Sequence, residues 1–453
     1  MGKLTLKQAA LWCGGWVDPK YEDIEFLGAN NDTRLIQPGQ LFIVLQGARD
    51  GHDFIPQAME KGAAAVLCSR KVGDYPAIIV EDPRVALGDI ARGERNRIGC
   101  KVVGITGSVG KSTTKEMVAT VLESTYRVAK TPVNHNNDIG MPMAILAMPE
   151  DTEVAVLEMG MNHFREMAYL SSIAQPDLAV IVNIGSMHIE FLGSVEGVRQ
   201  AKLEILEGMA PSGEVLLNGD DVMLCPLPVK PEQNVTYFGG DDTACAVSYG
   251  NVQEENGTLK FDVRCENQCF PVEMALEGRH FVIDAMAAIA VAMQLHVAPV
   301  RIQEQLSMFR NMAGRQEIYE KNGFTIISDC YNAGPESMAA ALKVLSKRSG
   351  RRVAVLGDML ELGEATSAEH FKIGATAASH ADLVYAYGPN AFRIVDGAVS
   401  AGMQENCARA FDTHEALAAE LKQMAKSGDV FLFKGSRGMH MECVLEMFLK
   451  DEK

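Results

Sequence analysis

The sequence predicts an α/β protein built on largely parallel sheets and divided into three domains. Three observations predict it. The chain has 453 residues, and at roughly 100–200 residues per domain that length needs more than one packed core. Short β-branched runs alternate with helical segments, the pattern of sheets joined by crossover helices. Apolar residues make up 47% and charged residues 22%, an ordered globular composition that excludes general disorder.

The first block, residues 1–98, carries the short runs Leu41–Leu45, Ala64–Cys68 and Ala77–Val80, expected as strands with helices between them. Its opening, MGKLTLKQAALWCGGW, reads as no secretory signal. Lys7 interrupts the apolar run, and Trp12 precedes Cys13 where a cleavage site needs a small residue. No stretch approaches the roughly 18–20 apolar residues of a membrane span, and the most apolar segment, Ala285–Met293, reads as a buried helix. The 10 cysteines are scattered. Cys265 and Cys269 form one C-x3-C without further spaced partners, so free thiols in a reducing cytoplasm are expected.

The second block, residues 99–313, opens with the strand candidate Lys101–Thr106 and a helix from Lys111, on which Met117, Val118, Val121 and Leu122 recur at helical spacing. Strands are expected at Glu153–Glu158 and Leu178–Asn183. Gly213–Pro271 is turn-rich and polar, which suggests a small antiparallel excursion. Helices follow at Phe281–Leu295 and Pro299–Phe309.

Between that first strand and helix lies Gly107-Ser108-Val109-Gly110-Lys111-Ser112-Thr113, the context a phosphate-cradling loop requires. Glycines let the backbone approach an anion, and the N–H groups of the loop and helix start point at it. Lys111 is suited to neutralise β- and γ-phosphates, and the Ser112 hydroxyl to ligate Mg²⁺. The strict Walker pattern has Gly where this chain has Ile105, so the match is the shorter G-x-x-G-K-S form. The central block is therefore expected to be a P-loop ATPase-like parallel sheet. Downstream, Glu158 ends an apolar strand, His188 follows another, and Lys202 lies on an expected helix of sequence Ala201-Lys-Leu-Glu-Ile205. Singly these read as a surface carboxylate, a structural histidine and a solvated lysine; jointly they gather near strand ends in the block with the phosphate loop.

The third block, residues 314–453, is a compact βαβ series with strands expected at Phe324–Ser328, Val353–Gly357, Leu383–Tyr387 and Val430–Phe433, and a closing helix over Gly438–Leu449. It predicts a Rossmann-like doubly wound sheet, with ligands beyond the carboxyl ends of its strands. Lys and Arg number 42 against 59 Asp and Glu, a formal charge of 42 − 59 = −17. That balance argues against a nucleic-acid partner. No guanine-specificity string accompanies the phosphate loop, so a motor or GTPase ranks last.

Several segments, in order, resemble the Mur ligase family: Asp32-Thr33-Arg34, Gly39–Phe42 and Asp50–Phe54; Thr106–Thr113; Asn134-His-Asn136-Asn137 through Pro142; Glu158–His163; His188-Ile-Glu190; Ala201–Ile205; Gly314-Arg315; Asp329-Cys-Tyr331-Asn332-Ala333; Gly357-Asp358-Met-Leu-Glu361-Leu-Gly363; and Lys434-Gly-Ser436-Arg437. The resemblance implies a cytoplasmic, monomeric ATP-dependent amide-bond ligase of peptidoglycan precursor synthesis. It would join D-Ala-D-Ala to UDP-MurNAc-tripeptide through an acyl phosphate. Residues 1–98 would bind the UDP precursor, 99–313 ATP, and 314–453 the acceptor. By the same resemblance, Asp32, Thr33 and Arg34 lie at the uridine-diphosphate site. Ser112 and Glu158 hold a first Mg²⁺, and His188 and a carbamylated Lys202 serve a second. A carbamate converts a cation into a carboxylate-like oxygen donor, which Mg²⁺ prefers. Asn134, Asn136 and Asn137 resemble a substrate-side loop, so the catalytic set is Lys111, Lys202, His188, Asn134 and Asn137. Arg315, Asp329, Tyr331 and Asp284 fall to the nucleotide, and Asn332, Asp358, Glu361, Lys434, Ser436 and Arg437 to the acceptor.

The chain departs from the family pattern in places. Members often read G-x-H-N-x-x-N where Gly278-Arg-His280 is followed here by Phe281 and Asp284. An ionised Asp accepts hydrogen bonds without donating them, which alters the expected adenine contact. Cys330 stands where Ser is common and Gly334 where Asn is common. The competing reading is a non-catalytic nucleotide-binding protein of the same fold; the presence of Glu158, His188 and Lys202 together argues against it.

Overall fold

The apolar runs form strands close to where their patterning places them. The structure, a computed structural model, describes residues 3–47, 49–225, 233–241, 245–255, 257–265 and 268–450. The chain divides into two compact units, one of Met1–Val182, Gln200–Val247 and Ala285–Gln305, the other of Asn183–Arg199, Ser248–Asp284 and Leu306–Lys453.

The first unit holds a five-stranded sheet in the order Trp16–Val17, Ala77–Ile79, Ala65–Cys68, Leu41–Ile43, Ala29–Asn30. Only Trp16–Val17 runs antiparallel to its neighbour. Phe42, Val44, Ile55 and Val66 build its core. A second sheet in this unit aligns Asn234–Gly240, Glu214–Asn218, Leu178–Ile181, Lys101–Thr106, Val154–Glu158 and Val128–Lys130, all parallel. Parallel strands are covered on both faces, which explains the unbroken apolar runs: Val102, Val103 and Ile105 are buried, as is all of Val154–Leu157. Chain order leaves the Lys101–Thr106 strand first to one side and then to the other. Its carboxyl end is therefore a topological switch point, where α/β sheets bind ligands.

Glu214–Asn218 and Asn234–Gly240 correct the expectation of an antiparallel excursion from Gly213. Val215, Leu216 and Leu217 are buried and extend the parallel sheet, a run too short to stand out among the surrounding turn signals. In the second unit, Thr258–Cys265 and Gln268–Met274 pair as an antiparallel hairpin, Leu259 opposite Met274. Residues 226–232, 242–244, 256 and 266–267 of the stretch lie outside the described residues.

The second unit's main sheet runs Glu317–Lys321, Phe324–Asp329, Val430–Lys434, Arg352–Gly357, Leu383–Tyr387, Ala408–Phe411, with only the first strand antiparallel. Successive side chains point to opposite faces, and each strand feeds two cores. Ile327, Leu356 and Leu432 join Leu342 and Ile394 on one face; Ile326, Val355 and Phe431 join Phe433 and Phe448 on the other. This is the doubly wound sheet the sequence predicts. Among the described residues, no helix is long and apolar enough to cross a membrane, and the ten cysteines are free thiols.

Candidate active site

In the first unit the chemistry gathers around the phosphate loop. Gly110 takes a left-handed conformation (φ +82) at the start of helix Lys111–Glu123, where the missing Cβ removes the penalty. Ser108, Ser112 and Thr113 are buried. Lys111 Nζ folds across the loop and donates to the carbonyls of Gly107 (2.7 Å) and Ser108 (3.2 Å). Lys202, 1% exposed, donates from Nζ to the same Gly107 carbonyl at 3.0 Å. Burial first, and the neighbouring Lys111 charge second, hold the Lys202 pKa well below the ordinary lysine range.

Glu158 ends the adjacent parallel strand, opposite Ile105, and is buried. Its N–H donates to Thr131 Oγ1 (3.0 Å), and Asn136 Nδ2 donates to its Oε1 at 2.8 Å. Buried Lys115 supports the same loop, donating to the Thr131 carbonyl at 2.7 Å. Asn136 and Lys115 are thus supports that the expected catalytic set omits. Asn137 Oδ1 accepts from the N–H groups of Ile139 and Gly140 at the start of helix Gly140–Leu146, a turn-and-cap role. Asn134 has a left-handed backbone, φ +68. Asn162 and His163 are engaged by Glu166, which accepts from both backbone N–H groups.

Asp32, Thr33 and Arg34 form a turn in the same unit. Arg34 clamps the Asp32 carboxylate (Nη2–Oδ2 2.6 Å, Nε–Oδ1 3.0 Å) and lowers its pKa to about 2. Thr33 Oγ1 donates to Gln57 (2.9 Å), and Lys61 Nζ donates to the Thr33 carbonyl.

The second unit holds the remaining expected residues: Tyr331, Asn332, Asp358, Glu361, Ser436 and Arg437 follow the carboxyl ends of its strands, while Asp284 lies on helix His280–Gln294 and Arg315 precedes strand Glu317–Lys321. Lys434, 2% exposed, pairs with Asp329 at 2.6 Å and also donates to the Asn332 carbonyl. The Arg315 guanidinium lies 3.7 Å over the Tyr331 ring, close enough for a cation–π contact. Ser436 Oγ accepts from Leu360 N–H and donates to the Ala333 carbonyl. Asp358 is buried, and its carboxylate accepts from Asn390 N–H and Nδ2. Arg437 and Asn332 are exposed. Arg437, Tyr331 and Tyr319 line a cavity of about 490 Å³. Asp284 and Phe281 are buried; the Phe281 ring lies against His280, centroids 4.2 Å apart. His188, in this unit, lies with Nδ1 2.6 Å from Glu361 Oε2. The sequence assigns Glu361 to the acceptor, and nothing local to either residue signals their pairing.

The family described as "Mur ligase family, catalytic domain" matches residues 23–95, its "Mur ligase middle domain" 105–292, and its "Mur ligase, glutamate ligase domain" 314–437. The chain is 40% identical to the UDP-N-acetylmuramoyl-tripeptide–D-alanyl-D-alanine ligase of Bacillus subtilis, over 98% of each chain. It is 34% identical to the Escherichia coli enzyme of that name, over 93% of this chain and 94% of the other. Among solved structures, MurF from Acinetobacter baumannii superposes with a TM-score of 0.90 at 30% identity, covering all of both chains. MurF ligase from Thermotoga maritima in complex with ADP superposes with a TM-score of 0.82 at 31% identity, covering 93% of this chain and 97% of that one.

Proposed function

The chain belongs to the Mur ligase family, and from that premise we propose that it joins D-alanyl-D-alanine to UDP-N-acetylmuramoyl-tripeptide, using ATP and releasing ADP and phosphate. It is an amide-bond ligase of peptidoglycan precursor synthesis, like the relatives it matches. The observation that carries the reading beyond simple nucleotide binding is Lys202. A buried lysine with a depressed pKa, 3.0 Å from a phosphate-loop carbonyl, is costly to fold and suited to conversion to a carbamate.

The family-matched segments fall inside the blocks 1–98, 99–313 and 314–453, which supports one substrate per block: UDP precursor, ATP and acceptor. Among the described residues, no group of three or more His, Cys, Asp or Glu could hold a metal. Ser112 and Glu158 offer one hydroxyl and one carboxylate, a sparse oxygen set of the kind that suits Mg²⁺, which is held by one or two carboxylates together with substrate phosphates. Ser112 and Glu158 would hold one ion, carbamylated Lys202 would supply an oxygen donor to a second, and His188 in the second unit is proposed as a metal-side residue in its own right. When bound, the ions neutralise charge on the phosphate oxygens.

The γ-phosphoryl group passes to the terminal carboxylate of the tripeptide, giving an acyl phosphate. The dipeptide amine attacks that carbonyl, and the tetrahedral intermediate expels phosphate. Lys111 neutralises charge during the transfer. Asn136 fixes Glu158, and the Asn134–Asn137 loop frames the substrate side. Arg315, Tyr331, Asp329 and Asp284 serve the nucleotide. Asn332, Lys434, Ser436 and Arg437 serve the acceptor, with exposed Arg437 suited to its carboxylate; Asp358 and Glu361 shape the same strand ends.

Purified protein with ATP, Mg²⁺, UDP-MurNAc-tripeptide and D-Ala-D-Ala is expected to release phosphate, and omission of either peptide substrate to stop release. Assay of the lysine and diaminopimelate tripeptides in parallel identifies the third residue. Turnover with single amino acids and none with the dipeptide would move the chain to a sibling activity.

A further inference from the structure

A motif distant in sequence holds the turn that carries His188. His188 Nδ1 and Glu361 Oε2 are 2.6 Å apart across 173 residues of sequence. The backbones are joined as well, since Glu190 N–H donates to the Glu361 carbonyl at 3.3 Å. Gly363, with φ +53, packs against this turn so closely that a Cβ there would sit 3.1 Å from Glu190 Cα. Both members of the pair are non-glycine residues in left-handed backbone, His188 at φ +66 and Glu361 at φ +63.

Left-handed backbone is disfavoured for residues with a Cβ and persists where the surroundings over-determine it, which happens disproportionately at functional sites. A pair that served only to staple a surface turn could be built from relaxed residues. Two strained residues brought face to face instead fix the direction of one ring.

We infer that Glu361 is a positioning residue that holds His188 with its proton on Nδ1, so that Nε2 carries the lone pair offered to a divalent cation. Carboxylates behind metal-binding histidines fix the tautomer and ring orientation and raise ligand basicity. The Gly357–Gly363 segment thereby sets the histidine's geometry, and Glu361 acts through His188. The inference rests on the reading of His188 as a metal-side residue.

Mn²⁺, visible by electron paramagnetic resonance, tests it in the full chain with ADP present. Glu361→Ala is expected to weaken Mn²⁺ binding about ten- to a hundredfold. Glu361→Gln retains an oxygen that accepts from Nδ1–H and is expected to stay within about threefold of the parent. Metal-free ¹⁵N-histidine spectra, with His188 assigned through His188→Gln, supply a second readout. The parent should show the Nδ1-protonated neutral form, and Glu361→Ala a shift toward Nε2 protonation. Weakened binding in His188→Gln with unchanged binding in Glu361→Ala overturns the positioning role and leaves His188 as a ligand. Equal damage by Glu361→Gln and Glu361→Ala also overturns it. Unchanged binding in His188→Gln overturns the metal-side reading itself; the ¹⁵N tautomer, recorded without metal, then decides separately whether Glu361 orients the ring.

Discussion

Lys202 concentrates the electrostatic problem of the first unit in one side chain. Its ammonium is disfavoured by burial and by Lys111, which shares the Gly107 carbonyl. The folded pKa therefore lies below the unfolded one. Between those two values the unfolded chain binds a proton that the folded chain does not, so this group makes stability rise with pH across that window. Within the same window the folded lysine is a neutral amine, the form that attacks CO₂. The proposed carbamylation would remove the clash with Lys111 and replace it with attraction. Turnover is accordingly expected to fall in CO₂-free buffer and to return on addition of bicarbonate. Lys202→Ala should lose about ten- to a hundredfold or more in rate, since loss of a group merely supporting a metal ligand already costs about that much. A carbamate carbon signal after ¹³CO₂ labelling should be present in the parent and absent in the variant. Full turnover in CO₂-free buffer, with Lys202 unmodified, would remove the carbamate from the mechanism. The sequence exposed Lys111, Ser112 and Glu158 because strand, loop and helix signals are local to them. It did not expose Asn136 on Glu158 or Glu361 on His188. Those contacts span 22 and 173 residues of sequence, and an Asn-rich turn or a strand-end Glu looks the same whether or not it supports a neighbour.

At the scale of elements, apolar runs located most strands, because parallel strands buried on both faces need no alternation to be seen. Short strands such as Val128–Lys130 and Glu214–Asn218 escaped, since three to five residues among turn signals carry little periodicity. Helix–helix closeness was also hidden, because it depends on which glycines face each other. Helices Thr366–Ala378 and Ala391–Ser400 meet through Gly374 and Gly397. A Cβ on Gly374 would lie 1.9 Å from the Ile394 carbonyl oxygen, and one on Gly397 would lie 2.0 Å from that of Phe371. Two effects of Gly374→Ala oppose each other. Helix propensity favours Ala by about 1 kcal/mol in a helix interior. The clash is with backbone, which cannot rotate away, so the helices must separate and loosen the core around Ile373, Ala377 and Ile394. Overpacking typically costs about 1–3 kcal/mol, and a backbone contact this short belongs at the upper end. Gly374→Ala should therefore lower the melting temperature by several degrees, at about 2–4 °C per kcal/mol for a unit of this size, as followed by circular dichroism. A rise in melting temperature would mean that propensity wins and that the two helices are not in contact at Gly374.

The whole molecule carries −17 charges, from 42 cations against 59 anions, yet its proposed substrates, ATP and a UDP-linked peptide, are anions. The conflict is settled by distance. At about 0.01 M ionic strength the screening length is about 30 Å, comparable with a domain, so an approaching anion meets the summed negative field; at about 0.15 M it shrinks to about 8 Å and only nearby groups matter. Those nearby groups are cationic where phosphates would bind, with Lys111 over the phosphate loop and Arg315 over Tyr331. The net charge therefore opposes approach while the local charge favours capture, and salt removes the first before the second. kcat/KM for ATP is expected to rise a few fold as KCl increases from about 0.01 to 0.15 M, then to fall toward 1 M, where the screening length of about 3 Å reaches the contacts themselves. Free Mg²⁺ must be held constant, so that the profile reports protein–substrate electrostatics and not metal occupancy. A steady decline from the lowest salt would show that local cations already dominate the approach and that the acidic remainder has no influence on capture. A rise followed by a fall is the behaviour expected of an acidic chain whose phosphate site is basic.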